Sequence, residues 1–325
     1  MKRTTPCPGP RQRGAALLLA MIILALVATT AAGMVWQQTR AVSIESAERA
    51  RTQAAWILNG ALDWARLILR EDQRANQQRN AAYDSLGEPW AQPLAEARLS
   101  SFLAADKDNN ANSGPEAFIS GAIEDAQSRL NLRGLVDEAG KPVPAQLAAL
   151  ERLSALAGAP SDAAALLAQA LGAAQTGAAG DNLAGPPIRP SRPEDLAWLG
   201  LEPATLQRLA PYIDLLPAAT PVNLNTAARE VIVAAIDGID QGTAQRLLQA
   251  RQRKPFEKLD DVQSLLPTGT VLEPTRASVG SSYFYVAGRL RLEDRVLEER
   301  SLLVRRDGRV DVLHRERRSF SAPQR

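Results

Sequence analysis

The first charged residue after Gly14 is Arg40, and most residues between them are apolar. Residues 15–35 read AALLLAMIILALVATTAAGMV, which as an α-helix spans about 32 Å. This length matches the hydrocarbon core of a bilayer, about 30 Å. A secretory signal has a shorter apolar region, about 7–15 residues, followed by a cleavage site of small residues. The pattern therefore predicts a helix that crosses a membrane once, over about residues 15–36.

The helical pattern continues beyond the apolar stretch. No proline occurs between Pro10 and Pro89. Small or apolar residues recur at steps of three and four, which places them on one helix face. We therefore predict one helix from Ala15 to about Arg70, about 80 Å long, whose apolar stripe packs against its own domain or neighbouring subunits. The stripe consists of Ala47, Ala50, Ala54, Ile57, Leu58, Ala61, Ala65 and Ile68.

Charge is unevenly distributed along the chain. The sequence has 38 basic and 36 acidic residues, a formal net charge of +2. Four cations lie in the first fourteen residues, which leaves 34 basic against 36 acidic residues in the rest. The positive-inside rule keeps such a leader cytoplasmic, and the balance elsewhere does not indicate a nucleic-acid-binding surface. The leader cations are Lys2, Arg3, Arg11 and Arg13.

The sequence offers few residues for catalysis. Cys7 is the only cysteine and lies in the leader, so the chain without its leader has no disulfide or thiolate site. His314 is the only histidine, which excludes a His-rich metal centre within one chain. No carboxylate pair or phosphate-binding loop stands out. We predict no enzyme activity and no required cofactor; the alternative, a membrane-tethered enzyme, needs a pocket of converging polar groups.

Two later parts of the chain alternate as strands do. Residues 117–124 predict one strand, and Arg129–Leu132 is predicted to return as a second. Residues 282–314 predict three antiparallel strands, with Asp307 and Gly308 in a tight turn. We expect these strands to form an antiparallel sheet.

The regions around these strands have other patterns. Residues 71–87 are polar and predicted to be irregular, and a short helix is predicted over 94–105. From Gly134 to about Thr275 the signals are helical, which predicts a large helical insertion in the sheet. The predicted divisions are residues 1–14, 15–70, 71–133, 134–275, 276–314 and a basic flexible tail, 315–325.

Residues 193–209 and 222–259 form two related helical units, and the second resembles a helix-hairpin-helix. In DNA-binding versions a G-x-G hairpin presents backbone N–H groups to a phosphate. Here the hairpin reads Gly238-Ile239-Asp240, so a carboxylate lies where the phosphate would approach. We predict a structural role. The alternative is a membrane-anchored DNA-binding protein of the competence type, which would bind DNA in a salt-dependent way.

One polar segment alternates oxygen-bearing side chains as the first ligands of an EF-hand loop do. The sixth position is Ala111 instead of glycine, and the twelfth is Ala117 instead of glutamate. The segment is therefore either a weak calcium site or a solvated loop. The candidate ligands are Asp106, Asp108, Asn110 and Asn112.

Three tryptophans lie on the predicted long helix. Trp36 is at the end of the apolar run, where an aromatic residue is expected to anchor the chain at the membrane surface. Trp56 and Trp64 are eight residues apart on one helix face and are predicted to pack against the globular part.

These features together resemble a known family. Arg11-Gln12-Arg13-Gly14 directly before an apolar helix is similar to the processing site of type IV prepilins and type II secretion pseudopilins. Residues 124–136, EDAQSRLNLRGLV, resemble the strand-turn-strand of the K-type minor pseudopilins. Most members of the wider family have glutamate at the fifth mature position. This chain has Leu19 there, and an apolar residue at that position is the K-type pattern.

The resemblance implies a fold and a processing step. The fold is α+β: a pilin-like fold with a long N-terminal transmembrane helix, an antiparallel sheet and an inserted all-α domain of helix-hairpin-helix or SAM-like type. The resemblance also implies cleavage between Gly14 and Ala15 and N-methylation of Ala15. Because an unpaired carboxylate is costly in hydrocarbon, Leu19 fits a subunit at the end of the assembly.

The resemblance further implies a function. The chain would be a single-pass inner-membrane protein with a cytoplasmic N-terminus and a periplasmic globular domain. It would form the tip of the type II secretion pseudopilus and promote or limit its assembly during export of folded proteins across the outer membrane. Expected partners are minor pseudopilins of the I and J types, then the H type and the major pseudopilin, together with the prepilin peptidase; no nucleic acid is expected. Calcium sites in the family keep calcium as a candidate cofactor.

Overall fold

The chain divides into two compact units, Met1–Ile57 and Leu58–Arg325. The described part of the first unit is α-helix throughout. The second unit contains a five-stranded sheet with a helical region inserted between two of its strands. The computed structural model describes residues 15–79, 81–99, 117–177, 188–292 and 295–321.

The long helix α1 extends over Ala15–Gln78, 64 residues and about 96 Å. It ends eight residues beyond its predicted end, so the prediction of an irregular stretch is wrong for residues 71–78. These residues are polar but include no glycine or proline. Arg74 pairs with Glu71 at 2.6 Å, a contact across one turn that stabilises a helix.

The described strands form one large sheet and two short pairs. They are β1 (Leu94–Arg98), β2 (Ala117–Asp125), β3 (Leu130–Asn131), β4 (Ile213–Asp214), β5 (Val222–Asn223), β6 (Ala277–Ser278), β7 (Tyr283–Leu292), β8 (Arg295–Arg306) and β9 (Arg309–Ser321). The large sheet is antiparallel, in the order β1-β2-β7-β8-β9. The short pairs β3-β4 and β5-β6 are parallel.

The predicted closing meander is confirmed by β7, β8 and β9. Asp307 and Gly308 join the last two strands with φ angles of 52° and 72°, the pair of positive values that a two-residue type I′ turn needs. Strand β9 continues to Ser321 and pairs there with Arg295. The prediction of a flexible tail from residue 315 is therefore wrong as far as Ser321.

Two other local predictions are wrong. Leu94–Arg98 is a strand instead of the start of a helix, because it pairs with β2 at the edge of the sheet. Arg129–Leu132 does not return beside β2; its central residues form β3, which pairs with β4. Strand β2 pairs instead with β7, on the far side of the insertion. Both structures depend on partners distant in sequence, which local alternation cannot show.

The insertion between β2 and β7 is mainly helical, which confirms the predicted helical signals. Leu150, Leu196 and Ile232 are fully buried in its apolar core. Its α-helices are α2 (Pro144–Ala157), α3 (Ala163–Thr176), α4 (Pro203–Leu209), α5 (Arg229–Ala235), α6 (Gln241–Arg253) and α7 (Leu259–Gln263). Short 3₁₀ helices lie at Pro89–Ala91, Ala126–Ser128, Leu132–Gly134 and Pro193–Leu199.

A second apolar core lies between α1 and the sheet. Leu62 and Leu69 of α1 are buried there with Trp90 and Phe284. The two aromatic rings meet edge to face, 5.3 Å between centroids. Full burial of side chains of this size stabilises the fold by about 2 kcal/mol each.

Trp64 does not lie in this core, contrary to its predicted packing, and Trp56 belongs to the first unit. Trp64 is 53% exposed and Trp56 is 73% exposed. The buried face of α1 instead carries Leu58, Ala65 and Leu69, since aliphatic and small side chains let the helix approach the sheet closely.

Candidate functional site

The N-terminal part of α1 presents apolar side chains to its surroundings. Of the described helices, α1 is long and apolar enough to cross a membrane, with a mean hydropathy of 2.4 in a window that has no buried residue. Leu19 is 63% exposed. Exposing such a surface to water costs about 25 cal/mol per Å², so the segment suits a single-pass anchor in lipid. Gly14 lies outside the described residues, and Ala15 is the first residue of α1.

A tryptophan–arginine contact marks the end of the apolar run. The Arg40 guanidinium lies over the ring of Trp36, 5.6 Å from its centroid. This cation–π contact joins an aromatic ring and a charge, a combination suited to the boundary between lipid and water. The anchor role of Trp36 stays a prediction.

A buried group of polar side chains, the junction cluster, joins parts of the chain that are distant in sequence. It comprises Asp72, Asp84, Asp125, Asn223 and Arg305. Arg305 of β8 is 7% exposed, and its guanidinium donates to Asp72 of α1 at 3.0 Å. The same guanidinium also donates to Asp84, which follows α1. These ion pairs fix the end of α1 to β8.

The other half of the junction cluster surrounds Asp125 at the end of β2. Its carboxylate accepts hydrogen bonds from the hydroxyls of Thr226 and Ser281. Asn223 Nδ2 donates to the same carboxylate at 2.9 Å and to the carbonyl of Asp84 at 3.1 Å. Because Asn223 and Thr226 belong to the insertion, this network fixes the insertion to the sheet.

Burial raises the pKa of the carboxyl groups in the junction cluster. For Asp72, desolvation is the main cause and repulsion by Glu88 and Asp84 adds to it, so the pKa rises from 3.8 to about 7 despite Arg305. Desolvation likewise raises the pKa of Asp84 to about 6, against the attraction of Arg305. It also raises the pKa of Asp125. A proton on Asp72 near neutral pH relieves repulsion among these carboxylates.

Two carboxylates of the junction cluster and that of Glu88 lie close enough to hold a cation. Oxygens of Asp72, Asp84 and Glu88 are within 4.8 Å of one another. Their partners are already within the chain, since Arg305 binds the two aspartates and Glu88 accepts the N–H of Ser85 at 2.7 Å. We therefore assign this group to the fold. The candidate calcium ligands Asp106, Asp108, Asn110 and Asn112 lie outside the described residues.

The acidic residues of the helix-hairpin-helix bind groups of the same chain. Asp240 caps α6 by accepting the N–H of Thr243 at 2.7 Å. Asp237 accepts hydrogen bonds from Arg276 and Arg152. A carboxylate of the protein therefore occupies the helix N-terminus where a DNA-binding hairpin holds phosphate.

Basic residues after the hairpin also serve the fold. Arg251 donates to the carbonyls of Leu224 and Ala227 at 2.6 and 2.8 Å, and burial lowers its pKa to about 10. Arg246 donates to the Thr243 hydroxyl at 2.8 Å. This geometry favours the structural role over the DNA-binding alternative.

A cavity of about 320 Å³ lies between α1 and the sheet. Its lining is mainly apolar and includes Trp64, Trp90 and Gly288. Glu299 is the titratable residue in the described lining, and Arg317 binds it at 2.6 Å. The described lining of the cavity thus offers one carboxylate instead of the acid and base pair that acid–base catalysis needs.

Known proteins are similar to this chain along most of its length. The family model for type II secretion system protein K matches residues 222–280. Type II secretion system protein K of Pseudomonas aeruginosa is 30% identical, over 94% of this chain and 92% of the relative. The protein of the same description from Pectobacterium carotovorum is 28% identical, over 94% and 96%.

A solved structure shares the fold. A chain of the crystal structure of the GspK-GspI-GspJ complex from enterotoxigenic Escherichia coli has a TM-score of 0.64 and 20% identity, with coverage of 83% of this chain and 98% of that chain. The long apolar helix and the antiparallel sheet with its helical insertion define a pilin-like fold. This chain belongs to the type II secretion system protein K family, which confirms the resemblance found in the sequence.

The sequence did not reveal the junction cluster. Asp72 and Asp84 lie in the stretch predicted to be irregular, and Asp125 lies between the two strands predicted over 117–124 and 129–132. One available signal was Arg305, which directly follows the apolar residues 302–304 in a strand. A cation next to such a run is buried only with a partner, so a search for that partner would have led to the aspartates.

Proposed function

We propose that this chain is the minor pseudopilin at the tip of the periplasmic pseudopilus, where it promotes or limits assembly during export of folded proteins across the outer membrane. The relationship to protein K over 94% of the chain carries the proposal. The partners would be minor pseudopilins of the I and J types, followed by the H type and the major pseudopilin. The crystal structure of a GspK-GspI-GspJ complex, one chain of which shares this fold, supports the first two.

The maturation step follows from the position of the leader. We infer that prepilin peptidase cuts between Gly14 and Ala15 and that Ala15 is N-methylated. Because the described helix α1 begins at Ala15, loss of residues 1–14 removes no described residue of α1. The basic leader stays cytoplasmic by the positive-inside rule, so the globular part lies in the periplasm and α1 is anchored in the inner membrane.

Leu19 supports a place at the end of the assembly. A carboxylate at the centre of a membrane helix costs about 3 kcal/mol unless it is paired. A subunit that offers no carboxylate to a neighbouring amino terminus needs no such pair. The bulky insertion from about Gly134 makes addition of a further subunit above this one sterically unfavourable.

The mass of the mature chain tests the processing step. Protein purified from membranes is expected to begin at methylated Ala15. Gly14→Asp is expected to retain the leader, whereas Gly9→Asp, with the same added charge inside the leader, is expected to be cut normally. Retention of residues 1–14 in the unmodified protein would contradict the proposal.

The tip position has its own test. Pseudopili grown with excess major pseudopilin are to be labelled with gold-conjugated antibody against this chain. One labelled end per filament is expected, and labels spread along the shaft would contradict a tip role. Light scattering of the full-length chain with I-type and J-type subunits in detergent is expected to give the mass of a three-protein complex.

A further inference from the structure

In the described part of the chain, the last strand of the sheet has an open outer edge. Strand β9 has 13 residues and stands at the end of the order β1-β2-β7-β8-β9. Among the described residues, β8 is the strand that pairs with it. An edge strand presents backbone N–H and C=O groups that can pair with another chain.

Contacts from α1 close the first part of this edge. Arg66 Nε donates to the carbonyl oxygen of Val310 at 2.9 Å, and Val310 is buried. The register then shifts by one residue at Leu313, which forms a β-bulge. Residues 313–320, the open edge, are exposed except for half-buried Glu316.

The open edge is basic. Its one acid, Glu316, is already bound by Arg192 of the insertion at 2.8 Å, which brings a further cation to the same surface. Arg318 has 71% of its side chain exposed, and its contact with Glu316 is long, 3.9 Å. Arg317 is bound by Glu299 of β8 at 2.6 Å, and Arg315 donates to Asn59 of α1 at 2.7 Å. Arg318 is therefore the arginine of the open edge whose charge is most accessible, and it favours an anionic partner. The arginines of the open edge are Arg315, Arg317 and Arg318.

A second copy of this chain fits the open edge poorly. Antiparallel pairing of two open edges places the arginines of one chain beside those of the other, and like charges across strands repel. The other edge of the sheet, β1, has five residues and an irregular register with β2. A short irregular strand offers few hydrogen bonds to the open edge.

We propose that the open edge binds an extended acidic segment of a partner protein, which adds to the sheet as a further strand beside β9. Backbone hydrogen bonds give affinity, and carboxylates beside Arg318 and its neighbours set the register. The proposal rests on the proposed function, because that function requires a partner protein. Binding of a peptide to the open edge, in contrast, requires only the fold of this chain. The rival is that the bulge and arginines block the edge.

Hydrogen exchange of the full-length chain in detergent separates these possibilities. The probe is a synthetic peptide in which glutamate alternates with valine and threonine. It is expected to slow amide exchange in residues 313–320 and to leave α1 unchanged. A peptide of the same sequence with alternate N-methylated residues cannot pair along one edge and is expected to give no protection. Equal protection by both peptides would overturn strand addition, and so would none by either.

Two charge reversals locate the binding surface. Arg318→Glu is expected to weaken binding of the acidic peptide by about tenfold, since it reverses the charge of the open edge. Arg309→Glu makes the same charge change on the same strand before the bulge and is expected to weaken binding less than threefold. Equal losses would overturn the proposal, as would preference for anionic lipid vesicles over the peptide. None of these results alters maturation or tip labelling, so the two proposals fail separately.

Discussion

Arg305 places one buried guanidinium between two carboxylates, Asp72 of α1 and Asp84 after the end of α1. Burial raises the pKa of Asp72 to about 7 and that of Asp84 to about 6. The folded protein therefore keeps protons that the unfolded chain releases near pH 4. The contribution of these groups to the free energy of unfolding is full in acid and is lost as the pH rises through about 7.

Asp72→Asn removes the carboxyl group whose pKa is raised to about 7 and with it a large part of this pH dependence. Between pH 5 and pH 8, the free energy of unfolding of the unmodified protein is expected to fall by about 2 kcal/mol more than that of the variant. Urea unfolding of the full-length chain in detergent measures it. Asp63→Asn, an exposed change on the same helix, is expected to keep the unmodified pH dependence. Parallel profiles for Asp72→Asn and the unmodified protein would contradict the raised pKa.

The cap of α6 gives a second prediction. Asp240→Ala removes the acceptor of the Thr243 N–H and is expected to lower the free energy of unfolding, because α6 loses its N-terminal cap. Asp240→Asn keeps a side-chain oxygen and is expected to lower the free energy of unfolding much less. Both values come from urea titration. A loss equal for the two variants would assign the effect to charge instead of capping.

At this scale, the sequence showed the acidic hairpin but not its partners. Asp240 could be recognised from the sequence because it replaces the second glycine of the G-x-G hairpin motif. Asp237 pairs with Arg276, which is 39 residues further along the chain. A contact between side chains that are distant in sequence produces no regular spacing in the sequence, so it cannot be predicted from such a pattern.

At the scale of the elements, two helical glycines show the difference between helix propensity and the space that tertiary packing leaves for a side chain. Gly172 of α3 lies so close to Gly140 that an added Cβ would be 2.4 Å from the Gly140 carbonyl oxygen. At Gly60 of α1, nothing lies within 4 Å of an added Cβ. Alanine is the better helix former at both positions, but only Gly60 has room for it.

Gly172→Ala is therefore expected to lower the free energy of unfolding by about 2 kcal/mol, because the backbone must shift to admit the methyl group. Gly60→Ala is expected to raise it by up to about 1 kcal/mol. Thermal unfolding of the two variants side by side checks both signs. Stabilisation by Gly172→Ala would mean that α3 and the Gly140 turn do not approach so closely.

The elements that could be predicted have their signals nearby in sequence. The turn at Asp307 and Gly308 needs two residues with positive φ, and this pair of residue types adopts such angles readily. The apolar run of α1 is as long as the hydrocarbon core of a membrane is thick. Strand β1 was mistaken for a helix because alanines and leucine favour helices, and only pairing with β2 makes it a strand. The end of α1 was placed too early because polarity was taken for irregularity.

For the whole molecule, Asn223 joins the insertion to the pilin-like sheet. It is fully buried and donates to Asp84, Asp125 and Ser281. Asn223→Ala leaves these acceptors short of a donor and is expected to cost about 3 kcal/mol. Hydrogen exchange is expected to quicken in both β2 and the insertion. Thr220→Ala, a change outside this network, is the control, and faster exchange confined to the insertion would contradict a joint role.

The insertion leaves β2 and re-enters at β7, and these neighbouring strands pair from Ala117 to Asp125. The ribosome synthesises β2 long before β7. These two strands therefore cannot pair until every residue of the insertion has been synthesised. Contacts of such wide separation form slowly. Until then the chain has an incomplete sheet, and the face of α1 that packs on this sheet is exposed. The risk of aggregation is therefore greatest before β7, β8 and β9 have been synthesised.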